Sequence, residues 1–183
     1  MKKVFLTLSF LSLSAAMFAQ TYMTRTGKIS FNATTAGSPE KIEGINNEVA
    51  NIIDAKTGNI VFQLPVKSFK FERELMQEHF NENYMESDKY PKAEFKGAIA
   101  NMNEVNFAKD GTYNAKVTGQ LTIHGVTKDI SVLGAITVSG NTIKAAAKFN
   151  IKLQDYHIDI PGVVADKIAK EAIIKLESDL VRK

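Results

Sequence analysis

The chain has 183 residues, with 23 basic side chains, 20 acidic side chains and no cysteine. Its length suits one domain with a full hydrophobic core. The absence of cysteine excludes disulfides, thiol catalysis and cysteine-ligated metal sites.

The first residues have the three parts of a secretory signal peptide. Met1–Lys3 is basic, residues 4–18 form an apolar run, and small residues lead up to Ala19. The run is too short to span a bilayer, so we predict a signal peptide over residues 1–19, an exported domain over residues 20–183, and no stable membrane insertion. The expected location is the periplasm or the cell exterior. Removal of the two leader lysines leaves 21 basic against 20 acidic side chains, and this near-neutral charge favours no nucleic-acid partner.

The first third of the exported domain has the alternation of β-strands. Apolar residues share one parity in Tyr22–Ala33, more weakly in Ile42–Ile53, and strictly in Ile60–Val66. A loop with Gly and Pro separates the first two segments, and a turn at residues 54–59 joins the second to the third. Pro65 cannot donate a ladder hydrogen bond, so it predicts an edge or a bulge near the end of the third strand.

The period of the apolar residues then changes. Met76, Phe80 and Tyr84 recur at intervals of four between Glu72 and Glu86, and most intervening positions are polar. This spacing predicts an amphipathic helix of about three or four turns. Its polar face is acidic rather than basic, so we expect the apolar stripe to cover one end of the sheet rather than a membrane surface.

The second half of the chain predicts the remaining strands. One begins at Lys92, three consecutive strands fill Thr112–Leu153, and a final strand alternates from Ala172 to Leu180. Val163–Lys170 predicts a helical turn before the final strand. The whole pattern amounts to about eight strands with one short helical insertion, which favours a closed antiparallel all-β barrel over an open sandwich.

The predicted inward face of the later strands carries several small residues, namely Gly119, Gly134, Ala145 and Ala147. Glycine lets a sheet bend and lets strands approach closely, so barrel curvature alone explains them. Alternatively, small side chains leave space inside a barrel that a ligand fills. The sequence leaves both interpretations open.

No group of residues has the spacing of a catalytic or metal site. His79, His124 and His157 fall on a helix, a strand end and a loop, without metal-ligand spacing. No serine has a nucleophile-elbow context, and the glycines form neither a phosphate loop nor a dinucleotide fingerprint. We therefore predict no enzymatic activity, no metal and no cofactor.

Large apolar side chains instead concentrate around the helix and its flanking strands. Core packing is the default explanation, but the small inward residues nearby favour an apolar cavity. Arg73 stands at the start of the helix, where it would either hold an anionic head group or pair with Glu72, Glu74 or a neighbouring carboxylate. An amphiphile inside the barrel is the first hypothesis. A filled barrel that acts as an interaction or structural module is the alternative.

Three segments carry a family resemblance: Tyr90–Phe95 (YPKAEF), Val117–Lys128 (VTGQLTIHGVTK) and Lys152–Tyr156 (KLQDY). Together with residues 72–80, they resemble the YceI-like proteins, also called polyisoprenoid-binding periplasmic proteins. The middle segment is the most specific of the three, and the first strands match the family only loosely.

The resemblance implies a lipocalin-like barrel whose long apolar tunnel holds an isoprenoid chain, without an assigned enzymatic activity. The implied partner is a polyisoprenoid or another long-chain lipid, and the sequence leaves open whether the protein is a monomer or a dimer. Combining this resemblance with the apolar pattern, we expect the ligand to contact Phe62, Leu64, Phe69, Phe71, Arg73, Met76, Phe80, Tyr84, Phe95, Ile99, Leu121, Ala147 and Phe149.

Overall fold

Eight antiparallel strands form a closed barrel in a computed structural model that describes residues 20–183. Each strand pairs with its neighbours in sequence, and the last strand pairs with the first. The predicted barrel is confirmed, whereas the predicted signal peptide over residues 1–19 lies outside the described residues. The strands are β1 (Thr21–Thr34), β2 (Glu43–Asp54), β3 (Asn59–Pro65), β4 (Lys92–Ile99), β5 (Gly111–Ile123), β6 (Val126–Ser139), β7 (Thr142–Lys152) and β8 (Ile168–Arg182).

β1 departs from simple alternation. Its register against β2 shifts between Thr24 and Gly27 and again between Gly27 and Ile29. Such β-bulges change which side chains face inward. As a result Tyr22 is fully buried at the start of the strand, whereas Met23, which has the parity of Ile29 and Phe31, is only half-buried.

The predicted helix is shorter than expected and changes type. The α-helix α1 covers only Glu74–His79, and a π-helical turn follows over Phe80–Tyr84. The Asn81 side chain donates to the Gln77 carbonyl, 2.8 Å away, and so competes with the backbone for an acceptor of the helical ladder. The Met85 amide then donates five residues back, to the Phe80 carbonyl, as in a π-turn.

The helical segment covers one end of the barrel, which we call the mouth and which is formed by the last residues of β1, β3, β5 and β7. Residues 66–91, between β3 and β4, form this cover. The Val66 amide donates to the Pro91 carbonyl at 2.9 Å, so the two ends of the cover meet. Lys70 forms an isolated bridge with Ile45 on β2.

The opposite end of the barrel is closed by side chains. The rings of Tyr22 and Phe107 lie 6.1 Å apart there, and Ile143 and Leu180 are buried as strand partners on β7 and β8. The predicted helical turn at Val163–Lys170 is only a 3₁₀ turn over Gly162–Val164, and β8 already begins at Ile168.

β6 and β7 separate toward the mouth. In the described part of the chain their register extends from Gly134–Ala147 to Ser139–Thr142 and no further. Near the mouth, β6 pairs only with β5, and β7 pairs only with β8. Hydrogen bonds between β6 and β7 therefore close this side of the barrel only in the half away from the mouth.

Candidate functional site

An apolar cavity of about 370 Å³ lies beneath the cover. Its volume falls within the range of small-molecule sites, roughly 300–1,000 Å³. Its walls are the mouth ends of the strands together with the inner side of α1 and the π-turn. Of the residues predicted to contact a ligand, those that line this cavity are Phe62, Leu64, Phe69, Phe71, Arg73, Met76, Phe80, Tyr84, Leu121 and Phe149.

The remaining predicted site residues lie elsewhere. Phe95 and Ala147 line a second, smaller cavity of about 70 Å³. Ile99 lines neither of these cavities, because it ends β4 at the closed side of the barrel, where it is buried.

Four phenylalanine side chains form an aromatic cluster that attaches the cover to the barrel wall. Phe31 on β1 stacks against Phe80 of the π-turn with ring centroids 5.3 Å apart. Phe69 and Phe71, from the start of the cover, approach Phe31 edge to face at 5.5 and 5.6 Å. Aromatic pairs of this kind contribute about 0.5–1.5 kcal/mol each beyond their burial. The cover is thus held over the cavity by packing of aromatic side chains rather than by a ladder of backbone hydrogen bonds.

Several cavity residues were missed by reasoning from sequence. The missed residues on strands have the same inward parity as the residues that were predicted. The period-two alternation could therefore have identified them. Ile158 and Val164 come from the irregular segment before β8, where no periodicity marks an inward face. The missed residues include Ile29, Phe31, Ile42, Ile123, Ile151, Leu153, Ile168 and Ile174.

The rim of the large cavity carries opposed charges. Arg73 Nη1 lies 2.9 Å from Glu40 Oε1, and Lys167 Nζ lies 3.5 Å from Glu40 Oε2. Arg73 therefore pairs with a carboxylate from the loop after β1, not with Glu72 or Glu74. All three charged side chains line the cavity, so two cations share one carboxylate at its edge.

Tyr84 places a titratable group against the cavity wall. Burial raises the pKa of the Tyr84 phenol above its ordinary value of 10.0 because the charged phenolate is poorly solvated there. Burial likewise raises the pKa of Tyr156, and the nearby Asp155 carboxylate adds to this effect.

His124 connects the cover to the β5–β6 turn and to the segment after β7. Its Nε2 lies 2.9 Å from Glu86 Oε2, and its Nδ1 lies 3.1 Å from the Tyr156 carbonyl oxygen. The Tyr90 ring packs edge to face on the imidazole at 4.6 Å. Both Glu86 and His124 have left-handed backbones, with φ of 41° and 51°, which non-glycine residues rarely adopt. His124, just after the end of β5, thus brings three parts of the chain into contact.

The second cavity lies deeper in the barrel than the first. Phe62 and Phe149 line both cavities and so lie at the boundary between them. Gly134, Ala145 and Ala147 line the second cavity, so their small size provides room. Gly134 also permits close strand approach, because a Cβ there would lie 2.8 Å from the Ala146 carbonyl oxygen.

Gly119 has the other predicted role. It is the strand partner of Gly97, and a Cβ on Gly119 would overlap the Gly97 Cα and the Lys96 carbonyl. This glycine pair allows β4 and β5 to approach closely. Close strand approach thus explains Gly119, room in the cavity explains Ala145 and Ala147, and Gly134 serves both purposes.

Residues 20–183 contain no group of three or more His, Asp or Glu side chains arranged to hold a metal ion. Over the same range, no helical segment combines the length and the apolar character that a membrane crossing requires.

Comparisons with known proteins agree with this architecture. The sequence model of the YceI-like domain matches residues 21–180. No protein with a curated description matches the chain significantly.

Three solved structures illustrate the likeness of the fold. A polyisoprenoid-binding domain from Saccharophagus degradans, implicated in plant cell wall breakdown, superposes with a TM-score of 0.76 at 13% identity, covering 90% of this chain and 99% of that one. BcnA of Burkholderia cenocepacia gives a TM-score of 0.68 at 23% identity, with coverage of 85% and 96%. A YceI protein of Campylobacter jejuni gives 0.56 at 18% identity, with coverage of 79% and 88%. At these identities the likeness concerns the fold alone.

Proposed function

This chain belongs to the YceI-like family, and we propose that it binds an amphiphile with a long apolar chain, such as a polyisoprenoid, inside its barrel. The observation that carries the proposal is the apolar cavity of about 370 Å³ beneath the cover. A barrel whose core served stability alone would be expected to fill this space with side chains. The Saccharophagus degradans relative, described as polyisoprenoid-binding, supports the same class of ligand.

Affinity for such a ligand comes from burial of its chain. Each methylene removed from water contributes roughly 0.8 kcal/mol, and the aromatic cluster and the leucine and isoleucine walls offer dispersion contacts on all sides. Apart from the rim, the described residues that line the large cavity offer only two polar side chains, His79 and Tyr84. With this lining, the cavity should select ligands by the length and width of their apolar chain rather than by a pattern of hydrogen bonds.

The polar end of the ligand is expected at the rim, beside the cover. Arg73 and Lys167 share the single carboxylate of Glu40, so an incoming anion can replace Glu40 as the partner of either cation. The Arg73 side chain is 70% exposed, so solvent screens this interaction and limits its strength. The rim therefore orients the ligand more than it contributes affinity.

The remaining parts of the proposal concern location and chemistry. The predicted signal peptide would place the mature protein, residues 20–183, in the periplasm or outside the cell, where it would act as a carrier or reservoir of lipid. We propose binding without catalysis, because the lining is almost entirely apolar, and His79 and Tyr84 are the only titratable side chains away from the rim among the described residues that line it.

Native mass spectrometry tests the proposal. Protein purified without detergent is expected to carry a co-purifying lipid, and delipidated protein is expected to take up an added polyprenol with one-to-one stoichiometry. A bare protein mass under gentle conditions, together with no uptake of polyprenols or fatty acids, would contradict it.

A matched pair of variants locates the binding site. Leu121→Trp fills the large cavity and should abolish uptake. Leu133→Trp makes the same change on the outer face, where Leu133 is 70% exposed, and should leave uptake unchanged. Thermal unfolding of both variants shows whether lost uptake reflects a filled cavity or a lost fold.

A further inference from the structure

Among the described residues, a single polar side chain lines the second cavity. Asn51 lines this cavity and is 1% exposed. Its Oδ1 accepts no hydrogen bond from any residue between 20 and 183. Every other residue that lines the cavity is apolar. A buried acceptor without a donor is costly and uncommon in native proteins, so this atom indicates a donor other than residues 20–183.

Asn51 lies immediately beyond the boundary between the two cavities. It is the strand partner of Phe62 on β3, and Phe62 and Phe149 line both cavities. A chain that enters at the mouth and fills the large cavity would pass these two rings before it reached Asn51. The second cavity, of about 70 Å³, has room for only a short end of such a chain.

We propose that the second cavity receives the far end of the bound chain, and that Asn51 Oδ1 accepts a hydrogen bond from a hydroxyl at that end. This inference rests on the proposed function, because it requires a chain in the large cavity. A hydrocarbon end at this position would leave Oδ1 buried without a donor, whereas a terminal hydroxyl satisfies it and leaves the apolar walls to pack against the last methylenes. The ligand class is therefore a long-chain amphiphile with a polar group at both ends.

Paired probes test this assignment. Affinities are measured for saturated fatty acids of increasing chain length and for the matching ω-hydroxy acids, which differ only in the far-end hydroxyl. At the length that reaches Asn51, the hydroxy acid should bind about two- to tenfold more tightly, the range expected for one net hydrogen bond. The preference should peak at one length, because a shorter chain does not reach the second cavity.

Two variants separate Asn51 from a general effect of buried polar groups. Asn51→Leu removes the acceptor while keeping the branching and the number of side-chain heavy atoms, and should eliminate or reverse the preference while plain fatty acids still bind. Ser178→Ala is the matched control. Ser178 Oγ is also buried without a partner, but Ser178 does not line the second cavity, so the preference should persist.

The outcomes distinguish this inference from the function on which it rests. Binding of plain and hydroxylated chains with equal affinity at every length would overturn the role of Asn51, and would assign its Oδ1 to a bound water molecule. A preference that survives in Asn51→Leu would overturn it as well. Failure of all chains to bind would contradict the proposed function itself.

Discussion

His124 and Glu86 join the β5–β6 turn to the cover through a contact of 2.9 Å between Nε2 and Oε2. The other ring nitrogen faces the Tyr156 carbonyl oxygen at 3.1 Å. Carboxylate and carbonyl oxygens only accept hydrogen bonds, so both contacts are hydrogen bonds when the imidazole carries two protons. The cover is therefore fixed on one side by the aromatic cluster and on the other by His124.

Replacing His124 by Asn should loosen the cover. Asn tolerates the left-handed backbone, so the change removes the ring contacts to Glu86 and Tyr156 without adding backbone strain. We expect a loss of about 1–3 kcal/mol in the free energy of unfolding, as for a buried hydrogen-bonded group, measured by urea denaturation. Hydrogen exchange should also become faster in Phe80–Tyr84.

The control for this change is His157→Asn. His157 has a similar left-handed backbone, with φ of 54°, but its side chain is exposed. Its replacement should leave both stability and exchange near the values of the parent protein. Equal effects of the two substitutions would show that His124 does not hold the cover.

Tyr84 should report directly on occupancy of the large cavity. Its pKa already lies above 10.0 because of burial, and an apolar chain that displaces water from the cavity would disfavour the phenolate further. Spectroscopic titration of the phenolate should thus show one tyrosine whose pKa rises when a polyprenol is added. Tyr84→Phe should abolish the ligand-dependent titration signal. If the signal persists in this variant, it belongs to another tyrosine.

The raised pKa of Tyr84 also predicts how the stability of the fold decreases at alkaline pH. A phenol whose pKa is higher in the folded state than in the unfolded chain stabilises the fold fully below pH 10, and this contribution is lost as the pH rises through the folded-state pKa. Urea denaturation should therefore show a loss of stability above about pH 10 that is smaller in Tyr84→Phe. Identical profiles for the two proteins would contradict the prediction.

The charges at the rim should affect anionic and neutral ligands differently. Glu40→Gln frees Arg73 and Lys167 and should strengthen binding of a fatty acid, whereas Arg73→Gln should weaken it, each by up to about fivefold, as for exposed ion pairs. A long-chain alcohol of equal length serves as the neutral control and should bind both variants alike. Equal shifts for acid and alcohol would mean that the rim acts through the shape of the mouth.

Ala147→Leu should distinguish a hollow barrel from a filled one. Ala147 lines the second cavity, so a larger side chain enters space that no other side chain occupies, and stability should change by less than about 1 kcal/mol. Ala55→Leu is the control, because Ala55 is buried and lines neither cavity. That change should cost about 1–3 kcal/mol by overpacking. A similar cost for both variants in urea denaturation would indicate a tightly packed interior at Ala147.

The sequence alone determined much of the fold of this protein and of the lining of its large cavity. Period-two alternation marks an inward and an outward face on each strand, so the number of strands, the barrel and most of the large cavity's lining could be predicted from local patterns. The change of period after β3 located the cover and the inward stripe of Met76, Phe80 and Tyr84. These features depend on residues that are close together in the sequence, so the periodicity of apolar residues predicts them directly.

Only the tertiary structure decided the relations between distant segments. Arg73 pairs with Glu40 rather than with its sequence neighbours, because closure of the barrel brings the loop after β1 beside the cover. The length of α1 depends on the competition of Asn81 for the Gln77 carbonyl, and the different roles of Gly119 and Ala147 depend on which residue lies across from each of them. The position of Asn51 behind Phe62 and Phe149 arises in the same way. Such relations follow from strand register and closure, which a period along one strand does not encode.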